Sequence, residues 1–146
     1  MERMTWIKPS FLWMMYRAGW GLKDAGQKRI LAIDITREGF AWALARGCLN
    51  HTDESMSKEG KEEWEAKKNA SPVRIQWDPE RDLFLRPLNH RAIQIGLSKE
   101  AVQLYVNEWI CRISEVTLFA HEIRALIEEG RLEDAKAKLP DERPLR

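Results

Sequence analysis

Cysteine is scarce in this 146-residue chain, with Cys48 and Cys111 the only two. In the absence of a secretion signal such a pair reads as reduced thiols and not as a bridge. Long apolar runs are missing too. The longest mainly apolar stretch, Phe11 to Tyr16, falls far short of the roughly 20 residues a membrane-crossing helix needs, and Arg17 ends it. Glu2, Arg3, Lys8 and Pro9 break up the start of the chain, which excludes a signal-peptide core and leaves a cytoplasmic protein as the expectation. Neither sign of charge dominates: 24 Lys and Arg stand against 23 Asp and Glu, for a net charge of +1. Bulk electrostatics therefore gives no argument for a membrane or nucleic-acid partner. There is no internal repeat, no phosphate-binding Gly-x-x-x-x-Gly-Lys loop, no Gly-x-Gly-x-x-Gly and no Gly-x-Ser-x-Gly. Cys48-x-x-His51 is a lone pair without a second pair at zinc-finger distance, and His121-Glu122 has Ala125 where a zinc-protease helix needs its second His, so no metal is expected.

What the chain does have is tryptophan, seven in all, within a composition that is 44% hydrophobic and 32% charged. A chain of this length buries roughly 68–70% of its unfolded surface, enough for a core without staples. Residues 1–146 read as a single domain carrying one charged insertion, Asn50 to Ala70, which looks like a solvated loop with a short exposed helix.

Hydrophobic periodicity places the elements. Met4 to Lys8 alternates as a short strand, and Pro9-Ser10 sets a helix N-cap before Phe11 to Trp20, a helix apolar on every side. Arg29 to Thr36 is β-branched and of strand length, with Ile33 and Ile35 on one face, and Thr36 caps a helix over Arg37 to Gly47. Val73 to Trp77 is a strand, Asp78-Pro79-Glu80-Arg81 a turn, and Leu83 to Leu85 the returning strand. Ala92 to Leu97 gives a further strand. Ser98 starts a helix to about Trp109 with Ala101, Val102, Tyr105 and Val106 as its buried stripe. Ile110 to Val116 fits an edge strand. Thr117 caps a last long helix whose Leu118, Ile123, Leu126 and Ile127 repeat at helical spacing, Gly130 ends it, and Leu132 to Leu139 forms a short helix. The lack of regular βαβ alternation predicts an α+β fold, a small mixed or antiparallel sheet with helices packed on it.

The densest chemistry lies in Trp6-Ile7-Lys8-Pro9-Ser10 through Tyr16-Arg17. Trp and Tyr faces can stack on a base or a nicotinamide, Lys8 and Arg17 can hold a phosphate, and Ser10 at a helix start adds N–H donors and a positive dipole end. The same residues also read as plain packing, with Trp13, Met14 and Trp20 in the core, Ser10 a cap and Lys8 solvated. A second cluster runs from Arg86 to Ile95, where His90, Ala92 and Gln94 share one face of an extended stretch; His90 reads most simply as a surface residue.

The segment Met4-Thr5-Trp6-Ile7-Lys8-Pro9-Ser10-Phe11-Leu12-Trp13-Met14-Met15-Tyr16-Arg17 resembles the family called domain of unknown function 4291. Leu31 to Phe40, Pro72 to Asp82 and Arg91 to Leu97 match the same family in the same order, so the resemblance covers nearly the whole chain. It implies that a Tyr-containing strand and a helix precede the Met-Thr-Trp segment in fuller members. The chain is then expected to be a shortened form with an open sheet edge.

The order of elements in that family is similar to the split sheet of ADP-ribosyltransferases, which hold NAD between two small sheets. That likeness implies NAD as cofactor. Trp6, Lys8, Ser10, Tyr16, Arg17 and Arg91 would line the nucleotide site, and Gln94 would stand in the late-strand catalytic position where many members carry Glu. The residue supplied by the first strand would lie upstream of Met1, which would leave such a site incomplete and inactive. The rival is a non-catalytic module for RNA or single-stranded nucleic acid that uses the same Trp, Lys and Arg residues as a stacking platform. Met1 to Arg29 carries six basic and two acidic residues, whereas Leu97 to Arg146 carries eight basic and ten acidic, so a modest basic face is expected near the start.

Overall fold

Backbone hydrogen-bonding demand and the apolar spacing described above resolve into an α+β fold in the computed structural model, which describes residues 4–49 and 57–143. The strands are β1 (Thr5–Ile7), β2 (Leu31–Ile35), β3 (Gly47–Leu49), β4 (Val73–Arg81), β5 (Pro87–Leu97) and β6 (Ile110–Glu115). The helices are α1 (Phe11–Ala18), α2 (Arg37–Arg46), α3 (Lys58–Ala70), α4 (Glu100–Leu104), α5 (Thr117–Glu128) and α6 (Leu132–Lys138). One sheet has the order β1-β5-β4-β3 and a second contains β2 and β6. The larger sheet is mixed: β1 runs antiparallel to β5, with Trp6 opposite Gly96, and β3 runs parallel to β4, with Cys48 opposite Arg74.

Contacts divide the chain into two compact units, each with its own core. The first comprises the described parts of Met1–Ile7, Ile33–Asp78 and Ile93–Arg112. Its centre is Val73, Ile95, Leu97, Ala101 and Trp109, with Phe40, Trp42 and Ile75 packed against them. Every residue of β5 from Ala92 to Leu97 is buried, the signature of an inner strand covered on both sides. Thr36 caps α2 by accepting from Gly39 N at 3.0 Å. Gly39 is required by a close approach, because a Cβ there would lie 2.4 Å from Cγ of the Trp109 indole. After α4 the chain makes one π-helical turn, Tyr105–Trp109, closed by Ile110 N on Tyr105 O.

The second unit comprises Lys8–Ala32, Pro79–Ala92 and the described part of Ile113–Arg146. Met15, Trp20, Ala120, Ile123 and Ala135 form its centre. Gly19, Trp20 and Gly21 all have positive φ (57°, 59° and 74°), and this left-handed corner reverses the chain after α1 and turns Trp20 inward. Two glycines carry most of the cost of that corner. Phe11 meets Trp20 and Phe119 edge-on at 6.2 and 5.9 Å, and His121 Nε2 bonds Trp20 O at 3.1 Å.

Several sequence expectations are corrected. The β4–β5 turn lies at Asp82–Arg86 and not at Asp78–Arg81, so Leu83 to Leu85 is turn and β4 continues through Pro79. The reason is Asp82, whose carboxylate accepts from Phe84 N, Arg86 N and Arg86 Nε, each at 2.9 Å, and folds the corner around itself. Val106 is 59% exposed because the π turn adds a residue and carries the buried stripe from Ala101 and Tyr105 to Trp109. Leu118 is 78% exposed, and Thr117 does not cap α5; its hydroxyl accepts from Ile30 N at 2.9 Å instead. Ile33 of β2 is exposed. Within the charged insertion, α3 has no buried residue and Trp64 Nε1 donates to Leu49 O; residues 50–56, including His51, lie outside the described residues.

Candidate functional site

The residues singled out from sequence fall in both units. Trp6 and Gln94 belong to the first, and Lys8, Ser10, Tyr16, Arg17 and Arg91 to the second. Only Ser10 and Gln94 are buried; Trp6 and Lys8 are half-buried, and Tyr16, Arg17 and Arg91 are exposed.

The second unit assembles the denser cluster around the start of α1. Ser10 is the N-cap, in extended conformation, and its Oγ accepts from Trp13 N at 3.2 Å. The same hydroxyl donates to Glu80 Oε1 at 2.6 Å, and Arg81 N donates to that carboxylate oxygen at 2.9 Å. Phe11 N, another first-turn donor, is taken by Glu142 Oε1 at 2.7 Å. The positive end of α1 is therefore supplied with a carboxylate by the chain itself. Burial pushes the Glu142 carboxyl above its ordinary value, with the like charge of Glu80 adding to this and the bond from Phe11 N opposing it.

Cations and rings gather beside this corner. Arg81 lies over the Tyr16 ring, 3.7 Å from its centroid, and Trp13 meets the same ring edge-on at 5.9 Å. Arg81 also donates from Nη1 to Leu85 O at 3.3 Å, while its Nε is buried without a hydrogen-bond partner, as is Trp13 Nε1. Burial, and then the like charge of Arg17, push the Lys8 ammonium below its ordinary value. Among the described residues, no carboxylate lies within ion-pair distance of Lys8 or Arg17. Two neighbouring cations with no carboxylate among the described residues within ion-pair distance make a local positive potential that an anion would relieve.

The first unit holds a smaller polar set. Gln94 Nε2 donates to Asp78 Oδ2, and Gln76 Nε2 donates to the same carboxylate at 3.0 and 3.3 Å. Trp6 lies over Gly96, whose added Cβ would meet the indole at 2.9–3.0 Å. Arg91 is exposed and has interactions of its own. Sequence reasoning missed Glu80, Arg81 and Glu142 as members of the α1 corner and Asp78 as the partner of Gln94. The first two and Asp78 had been assigned to a turn. Glu142, in a charged tail 131 residues from Phe11, carried no local signal at all.

Among the described residues no three His, Cys, Asp or Glu side chains gather as a metal site, and no helix is long and apolar enough to cross a membrane. The family model described as Domain of unknown function (DUF4291) matches residues 1–145. The chain belongs to this family. No curated protein and no solved structure matches it.

Proposed function

We propose that this DUF4291 chain binds a nucleotide at the α1 corner of its second unit, with NAD the first ligand to test. One observation carries the reading: Lys8 and Arg17 repel each other with no carboxylate among the described residues within ion-pair distance of either, and the exposed Tyr16 ring lies next in sequence to Arg17. A nucleotide supplies both complements, a phosphate for the cations and a ring for the tyrosine. Because Glu142 and Ser10 already occupy first-turn donors of α1, the phosphate falls to Lys8 and Arg17 and not to the helix end. Arg91, of the same unit, is kept as a nucleotide contact on the resemblance alone; Trp6 as a contact and Gln94 as the catalytic residue of an ADP-ribosyltransferase-like reaction are what the resemblance implies for the first unit. Gln94 fits less readily, since its amide nitrogen is engaged by Asp78 and a ribose hydroxyl would have to donate to Oε1. The reading takes the protein to be cytoplasmic, where its free thiols Cys48 and Cys111 stay reduced.

A second reading, a module for single-stranded RNA or DNA, is favoured by one specific feature. Tyr16 is 45% exposed with the Arg81 guanidinium over its ring, an arrangement suited to sequence-tolerant base stacking. Titration of the purified chain with NAD and, separately, with a short single-stranded RNA, followed by tryptophan fluorescence, decides between the two. A saturable response to NAD that is lost in the Lys8→Ala/Arg17→Ala pair supports the first reading, and a response to RNA alone supports the second. Silence toward both, or undiminished binding by the double variant, overturns the phosphate assignment.

A further inference from the structure

One face of the first unit's sheet packs on that unit's core through Val73, Ile75, Ile95 and Leu97. Side chains alternate along a strand, so Trp6, Arg74, Gln76, Asp78, Gln94 and Gly96 belong to the opposite face. The register sets three of them in one row. Trp6 is opposite Gly96 in the β1–β5 pair. Strands β4 and β5, joined by the Asp82–Arg86 turn, run antiparallel, and Ser98 N donates to Pro72 O at 2.8 Å, which places Arg74 opposite Gly96 on its other side. The middle position has no side chain, and the Trp6 indole fills the space above it: a Cβ at Gly96 would meet Cζ2, Cε2 and Cη2 at 2.9, 3.0 and 3.0 Å. Three ring atoms at nearly equal distance mean that the indole lies flat on the glycine, so its second face points away from the sheet. Among the described residues no other ring and no cation stacks on that indole.

Arg74 ends the row as an unmatched cation. The residue is half-buried, its Nε is buried without a hydrogen-bond partner, and among the described residues no carboxylate lies within ion-pair distance of it. A guanidinium offers two parallel N–H groups as a fork for a two-oxygen anion. Asp78, on the same face, does not fill that fork, because its carboxylate is held by the amide nitrogens of Gln76 and Gln94. We infer that this row is a binding site for a small aromatic carboxylate, with the carboxylate on the Arg74 fork and the ring stacked on Trp6. Two strand spacings, about 10 Å, separate the Trp6 and Arg74 backbones, a gap that one ring and its carboxylate bridge. A singly charged carboxylate is favoured over a phosphate dianion, because one cation is unmatched and Asp78 places a like charge further along the same strand face. The site uses neither Lys8 nor Arg17 and does not depend on the nucleotide reading.

Titration of the isotope-labelled full chain with benzoate, benzamide and inorganic phosphate, followed by nuclear magnetic resonance, tests this. Benzoate should shift the Arg74 Nε–H and Trp6 indole signals together and saturably. Neutral benzamide should bind about tenfold more weakly or worse, the scale of one charge-assisted hydrogen bond. Arg74→Gln should abolish the benzoate response, and Arg74→Lys, which keeps the charge and loses the fork, should retain only part of it. If Arg74→Gln fails to fold, the benzoate–benzamide contrast and Arg74→Lys decide. No shift at Arg74 with benzoate at tens of millimolar, equal affinity for benzoate and benzamide, a phosphate response that matches benzoate, or undiminished binding by Arg74→Gln or Arg74→Lys overturns the inference.

Discussion

The guanidinium carbon of Arg81 lies over the ring of Tyr16, 3.7 Å from its centroid, although 65 positions separate the two residues in sequence. The contact fixes an otherwise exposed tyrosine in one orientation. Stacking on such a ring is worth about 1–3 kcal/mol per base. Tyr16→Ala should therefore weaken nucleotide or oligonucleotide binding by roughly tenfold or more, while Tyr16→Phe keeps it. Equal affinities for all three proteins by fluorescence titration would remove Tyr16 from the site.

Lys8 carries a prediction about proton linkage. Its value is lowered in the folded chain, so between that value and the ordinary 10.5 the unfolded chain binds more protons. Stability contributed through this group thus rises as pH climbs through that interval. Lys8→Met should remove the rise and leave the protein no less stable at neutral pH, yet lower phosphate-ligand affinity about tenfold, the scale of one charge-assisted hydrogen bond. Urea unfolding across the alkaline range, with a titration alongside, reads both effects; a variant that loses stability and keeps affinity would refute the assignment.

The Asp82 corner predicts an acid-side dependence of the opposite kind. Burial would raise its carboxyl, but the bonds from Arg86 backbone and side chain and from Phe84 N outweigh that and hold it below the ordinary 3.8. Stability from this group is present above 3.8 and lost as pH falls through the lowered value. Asp82→Ala should cost about 1–3 kcal/mol at neutral pH, and most of that cost should vanish in strong acid. A cost unchanged between the two conditions would show that the carboxylate charge is not what holds the turn.

Leu85, in the same turn, has φ of 64°, a conformation that costs a residue bearing a Cβ roughly 1–2 kcal/mol. Leu85 is also half-buried against the second core, so Leu85→Gly trades strain for contact. Leu85→Ala, which loses the same contact but keeps the left-handed strain, separates the two. Thermal midpoints should rank Gly above Ala; the reverse order would mean that strain at this position is small.

Gly39→Ala pits helix propensity against packing. Alanine gains roughly 1 kcal/mol over glycine inside a helix, but overpacking a core typically costs about 1–3 kcal/mol, and here the new carbon would sit 2.4 Å from a rigid indole. We expect net destabilisation, with a shift in tryptophan emission as Trp109 moves. A higher thermal midpoint would contradict the close approach.

Local chemistry was legible wherever one residue acts on its own neighbours. Ser10 before Phe11 and Thr36 before Arg37 name their helices because a hydroxyl three residues ahead of an N–H is enough to start one. The insertion helix was legible from its charge, and the family from its Met-Thr-Trp-Ile-Lys-Pro-Ser segment. The β4–β5 corner was not, because Asp78-Pro79 is as good a turn by composition as Asp82, and only the strand register selects between them. The π turn at Tyr105–Trp109 likewise shifts a stripe by one position, which a fixed helical period does not express.

The sequence by itself determined the α+β class, the caps of α1 and α2 and the family, since these rest on contacts a few residues apart and on a contiguous motif. Tertiary structure alone decided that Arg81 stacks on Tyr16, that Glu142 reaches the α1 N-terminus and that Asp78 holds Gln94. Those contacts join residues distant along the chain, and their geometry comes from packing within each core, which no local preference encodes.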